Sequence, residues 1–165
     1  MRPAATLWVA VMALLHLASI PAACLETTAK PRLDLVNDYA GVYSPDGLSR
    51  VAQAASEFQP PYELMVVVVS SLKGLAMEQY AQRLYQLWRA DKKNKDAGIL
   101  ILLAPKERKI SIETSPSLKA LLPASFTRSV MDKEMGPAFK RGDFEQGTLL
   151  AIRSLAQRLA PAKKP

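Results

Sequence analysis

Two residue types are almost missing from this 165-residue chain: it has one cysteine, Cys24, and one histidine, His16. A single thiol cannot close an intramolecular disulfide. If the first 23 residues are removed as a leader, no imidazole remains. That excludes histidine general bases, Ser-His-Asp and Cys-His arrangements, and zinc sites built from Cys and His. The chemistry left to the chain belongs to carboxylates, hydroxyls, Lys, Arg and Tyr, with an oxygen-bound cation such as calcium or magnesium as the only metal these side chains suit. A second apolar run of membrane length is also missing, so beyond its start the chain is expected to be soluble. The 22 Lys and Arg against 15 Asp and Glu are scattered and lack interleaved aromatics. A nucleic-acid platform needs clustered bases with interleaved aromatics, so no nucleic-acid partner is expected.

The start is distinctive. Met1 and Arg2 precede an uncharged run over 4–20, followed by Pro21-Ala22-Ala23-Cys24. A short basic start, an apolar stretch and small residues at the exit describe a secretory signal peptide, so the protein is read as exported, to a periplasm. Two exits fit: ordinary cleavage near Ala23 releases a soluble domain, whereas Cys24 would be the lipidated first residue of a lipoprotein. Pro21 stands where a lipobox carries Leu, Val or Ile. Lipidation of Cys24 is then the one route to the membrane. Cleavage leaves about 140 residues, enough for one domain with a sizeable core. The organisation read from composition is a signal peptide at 1–23, a polar tether at 24–33, a domain at 34–160 and a basic tail at 161–165.

Within the domain, 34–43 reads as a loop or short edge strand. Ser44, Pro45 and Asp46 start a helix to about Phe58, with Leu48, Val51, Ala55 and Phe58 on one face. The β-branched run at 63–69 does not alternate and so suits a central strand covered on both faces. A helix over 75–89 places Ala76, Tyr80, Leu84, Leu87 and Trp88 at helical spacing. Strand 97–104 follows as a parallel crossover, and the turn 105–108 leads into an alternating strand at 109–114. Helices are expected over 123–139, with Phe126, Val130, Met131 and Met135 inward, and again after Gly142, opened by an Asp143/Gln146 capping box. The fold class is α/β: a three-layer α/β/α sandwich with a small mixed sheet and helices on both faces. Pairing of Ala104 with Lys109 would place Gly98 near Ser115, and Asp96 near Ser117, at one end of that sheet.

Four blocks carry a resemblance. They are Val36-Asn37-Asp38-Tyr39-Ala40-Gly41-Val42, the stretch from Trp88 through Lys92, Lys93, Lys95 and Asp96 to the strand GILILL, the strand Arg108–Glu113, and Pro137-Ala138-Phe139-Lys140-Arg141-Gly142-Asp143-Phe144. In order and spacing the chain resembles the TPM domain family of thylakoid-lumen photosystem II repair proteins and bacterial envelope proteins. The resemblance implies an exported α/β/α sandwich and, in some members, a carboxylate-lined cleft for calcium. Phosphatase activity has been proposed for plant members, and others are linked to upkeep of membrane complexes. Carried over by position, the acidic set is Asp38, Asp96 and Asp132. The family's segment after the hairpin, approximately GYGLEGVLPDA, is here Ser115 to Ser125: Lys119 replaces its glutamate, Ala124 its aspartate, and Ser115, Ser117 and Ala120 its glycines. An ammonium in place of a carboxylate changes the local charge by two units, so weak or absent calcium and magnesium binding is expected.

Three functions stay open from the sequence. The first is a non-catalytic or degenerate accessory module that binds an envelope protein or membrane-protein complex. The second is a divalent-cation-dependent phosphatase using Asp38 and Asp96. The third is a periplasmic anion or small-ligand binder, with Ser115, Ser117 and Lys119 as an anion patch beside Asp96. An interaction module would show an exposed apolar or Tyr-rich patch, for which Tyr39, Tyr43, Tyr62 and Trp88 are the candidates, with burial in the core as the favoured alternative for them.

Overall fold

A computed structural model describes residues 34–58, 61–89 and 97–160. Asp96, Cys24, His16, the leader, the tether and the tail lie outside the described residues. Four strands form one sheet in the order β1 (Val36–Asp38), β2 (Glu63–Val68), β3 (Gly98–Ala104) and β4 (Lys109–Thr114). The first three are parallel and β4 runs antiparallel to β3, with Ala104 opposite Lys109. That is the register expected from the hairpin, and Ser115 N–H donates to Gly98 O at 3.0 Å just beyond it.

The two central strands divide their side chains by parity, as a period of two requires. Leu64, Val66 and Val68, with Ile99, Ile101 and Leu103, face one layer. Met65 and Val67, with Leu100, Leu102 and Ala104, face the other. All are essentially solvent-free, which explains why these strands read as unbroken apolar runs. The second layer is α2 (Met77–Arg89), which covers its face with Met77, Ala81 and Trp88. The first holds α1 (Pro45–Ser56), α3 (Ala124–Val130), α4 (Gly136–Lys140) and α5 (Phe144–Leu159).

Local chemistry sets the helix ends. Ser44 Oγ accepts from Gly47 N–H at 3.0 Å, and Pro45 occupies the first turn of α1. Asp143 Oδ1 accepts from Gln146 N–H at 3.0 Å to open α5. Between them α4 closes with a Schellman pattern: Asp143 N–H donates to Ala138 O and Gly142 N–H to Phe139 O, both at 3.0 Å, with Gly142 at φ +79°.

Three local expectations differ from the structure. Leu48 on α1 is exposed, while Val51 and Ala55 carry the buried stripe. On α2 the inward line passes through Met77, Ala81 and Trp88, leaving Leu87 63% exposed, because an apolar residue beside a stripe satisfies the same spacing without facing inward. The helix expected over 123–139 runs on without a gap from Ala124 to Lys140, but its middle differs: α3 ends at Val130, a π-helical turn spans Met131–Met135, and α4 continues from Gly136. Pro137 has no N–H and its ring opposes the carbonyl four residues back. The widened turn absorbs this, with Gly136 N–H donating five residues back to Met131 O.

Candidate functional site

The loop after β1 is organised by Asp38. Its Oδ1 accepts from Gly41 N–H at 2.8 Å and Ala40 N–H at 3.2 Å, and its Oδ2 accepts from Tyr43 N–H at 2.9 Å. A carboxylate has about four lone-pair positions, so three are occupied by backbone donors. Gly41, at φ +65°, supplies the left-handed residue that lets three amides converge. Tyr43 then turns inward. Its hydroxyl donates to Thr148 Oγ1 at 2.8 Å, since the Thr148 hydroxyl proton is directed to Phe144 O at 2.8 Å. Burial, with the Asp38 and Glu145 charges adding to it against the Thr148 bond, drives the Tyr43 phenol well above its ordinary range. This phenol is a neutral hydrogen-bond donor rather than an acid–base group.

The other sequence-derived candidates lie elsewhere. Asp38 pairs with Val68, and Val68 with Leu103, which puts Asp38 at the C-terminal end of the parallel strands. Ser115 is hydrogen-bonded beside Gly98, at the N-terminal end of β3. The five residue steps from Gly98 to Leu103 correspond to about 16 Å. Asp96 lies outside the described residues; Ala97, its chain neighbour, accepts from Glu63 N–H at that same far end. Asp132 sits exposed on the π-helical turn. Among the described residues no three acidic, Cys or His side chains gather where they could hold a metal ion.

Ser115 is wholly buried, its hydroxyl 3.1 Å from Ser117 Oγ. It precedes a three-residue 3-10 turn, Pro116–Leu118, that Lys119 closes by donating its N–H to Pro116 O at 3.2 Å. The Lys119 side chain is exposed at the far end of that turn. Of the proposed Tyr and Trp patch, Tyr43 and Trp88 belong to the core, Tyr62 is half-buried, and Tyr39 is 57% exposed. Thus the four side chains do not form one exposed surface.

The sequence reading missed a cavity of about 510 Å³ at the Asp38 end of the sheet, on the face covered by α4 and α5. Its apolar wall is Leu103, Ile110, Phe139 and Phe144, and its basic rim is Arg108, Lys109 and Lys140. The Phe139 and Phe144 rings stack at 5.0 Å, tilted 44°. Signals were present in the chain, because the Arg108–Glu113 strand and the Pro137–Phe144 stretch were both matched family blocks. Nothing in either block alone shows that they meet.

A mixed sheet with helices on both faces, three parallel strands and an antiparallel edge, defines an α/β/α sandwich. The TPM domain model matches residues 36–158, and the chain belongs to that family. Its fold is similar to the N-terminal domain of a protein from P. gingivalis, with a TM-score of 0.69, 23% identity, and coverage of 76% of this chain and 82% of that one. It is also similar to the BA42 protein from Bizionia argentinensis (TM-score 0.63, 18% identity, 72% of this chain and 81% of that one). A third similar fold is the N-terminal domain of the cg2496 protein from Corynebacterium glutamicum (TM-score 0.59, 19% identity, 79% and 84%). These likenesses concern the fold. A search of curated proteins gave no match.

Proposed function

We propose that this TPM domain is exported and serves as a non-catalytic accessory module of an envelope protein or membrane-protein complex. The observation that carries this reading is the state of Asp38. The family-position carboxylate in the loop after β1 is spent on three backbone amides, and Lys119 and Ala124 stand where the family has acids. A hard divalent cation needs six or more oxygen ligands with several carboxylates among them. Asp38 and Asp132 are on separate elements, one hydrogen-bonded within its loop and the other exposed on a helix. Export rests on the leader-like start, and lipidation of Cys24 remains the alternative attachment to a membrane.

The test is calorimetric titration of the purified protein with calcium and magnesium, alongside hydrolysis of a chromogenic phosphate monoester in each metal. Silence to millimolar cation, with no hydrolysis, is the expected result. Micromolar binding abolished by Asp96→Ala, accompanied by turnover, would replace this reading with the metal-dependent phosphatase. For the accessory role, in-cell crosslinking should capture the same envelope protein repeatedly, and excess unlabelled domain should compete it away.

A further inference from the structure

We infer that the cavity between the β3–β4 hairpin and the α4–α5 turn is a binding site for a small amphiphilic anion, an apolar chain or ring carrying one carboxylate-type head. This goes beyond the accessory role and does not depend on it. The volume, about 510 Å³, falls within the range of small-molecule sites, roughly 300–1,000 Å³. The wall supplies the apolar half: Leu103 is buried, and Ile110, Phe139 and Phe144 are half-buried with their remaining surface available. The rim supplies the charge. Arg108, Lys109 and Lys140 are exposed, and among the described residues no acidic one lines the cavity. Asp143, adjacent in the chain, is committed to the Gln146 amide. Among the described residues, none of the three cations is held in an ion pair.

Two backbone irregularities shape the mouth. Arg108 adopts φ +53°, a left-handed conformation uncommon for a residue with a side chain, at the hairpin corner where a glycine would serve more easily. Across from it, the π-helical turn ends at Gly136, another lining residue. The left-handed arginine and the end of the widened turn thus border the same cavity. The concave shape favours a free small molecule over a bilayer. Among the described residues, none of the exposed large hydrophobics, Leu35, Tyr39, Leu48, Leu87 and Leu121, borders the cavity to offer a protruding apolar surface to lipid.

The experiment is titration of the purified protein with decanoate, decanol and acetate, followed by calorimetry and by backbone amide NMR signals. Decanoate should bind and move the signals of residues 103–110 and 136–144, with decanol and acetate each weaker by about tenfold or more. Salt should weaken decanoate binding, because the rim charges are exposed. Arg108→Glu combined with Lys140→Glu should lower decanoate affinity by about tenfold or more while leaving the melting temperature and decanol binding unchanged, since both side chains lie on the surface. Equal binding of decanol and decanoate, signal changes confined to other regions, or full affinity in the charge-reversed variant would each overturn the proposal. Binding to anionic phospholipid vesicles without binding to decanoate would overturn it too, and would assign the basic rim to a membrane surface.

Discussion

Asp38 and Tyr43 are joined through the backbone: the Asp38 carboxylate accepts the Tyr43 amide hydrogen at 2.9 Å while its other oxygen holds Ala40 and Gly41. The side chain that resembles a metal ligand is therefore the centre of a folded loop. Asp38→Ala removes the acceptor of three amides at once, and hydrogen bonds to charged groups contribute about 1.5–3 kcal/mol each before solvent replaces them in a part-exposed loop. A loss of about 2–3 kcal/mol is expected in chemical denaturation, against less than about 0.5 kcal/mol for Asp132→Ala on the exposed turn. Equal, small effects would return Asp38 to the list of free ligands.

Helices α4 and α5 depend on Gly147. A Cβ at this position would overlap the Phe139 ring and press on Ala138. Gly147→Ala is expected to cost about 1–3 kcal/mol, as overpacking of a well-filled contact does. Removing the ring in Phe139→Ala should relieve most of that penalty, so the two substitutions should be strongly non-additive in urea denaturation. Additive losses would show that the clash is taken up elsewhere.

The sheet could be read from the chain because its signals are local. The runs at 63–69 and 97–104 bury both parities, the alternation at 109–114 belongs to an edge strand, and the four-residue turn between them sets the Ala104–Lys109 register. The misplacement of Leu48 and Leu87 has a simple origin, since helical spacing locates a stripe only to within one neighbouring position. The candidate site was harder to read. The three donors that occupy Asp38 are backbone amides, so Asp38 with Gly41 marks a turn in the sequence without showing that all three amides converge on one carboxylate. Arg108, Lys109 and Lys140 look like ordinary solvated charges until the hairpin and the α4–α5 turn bring them to one rim. Pro137 was visible, yet its consequence, a π-helical turn instead of a helix end, depends on how Gly136 and Met131 pack.

Tyr43 should govern behaviour in alkali. Burial favours its neutral form in the fold, raising its pKa above the ordinary 10.0. A raised value stabilises the folded state at every pH below about 10, and the contribution disappears as pH rises above it and the unfolded phenol ionises. Tyr43→Phe loses the bond to Thr148, at a cost of about 0.5–1.5 kcal/mol near neutrality. Above about pH 10 the variant escapes the ionisation that draws the wild type towards unfolding, so the stability gap should narrow and then invert. Ultraviolet titration should show a tyrosine component that ionises only on unfolding, and this component should be absent in the variant. A gap independent of pH would mean that Tyr43 titrates freely in the fold.

Glu107 sets the acid side. Its Oε1 accepts from Leu72 N–H at 3.0 Å and from Ser71 Oγ at 2.9 Å, tying the hairpin turn to the segment that leads into α2. The Leu72 amide, helped by the Ser71 hydroxyl and by Lys106 and opposed by partial desolvation, holds this carboxyl below its ordinary value of 4.5. A depressed carboxyl pKa contributes stability that is present above the unfolded value and is lost as pH falls through the folded one. The Arg50 guanidinium depresses Glu145 in the same way, so both act in the window below about pH 4.5. Glu107→Gln keeps an oxygen acceptor but removes the charge. Its melting temperature should lie below that of the wild type near neutrality, and the two should converge as pH is lowered towards about 3. Glu145→Gln should show the same convergence without loosening the Ser71–Leu72 segment, so hydrogen exchange at the Leu72 amide should accelerate only in Glu107→Gln. A constant difference across the acid range would show that Glu107 acts through its shape rather than its charge.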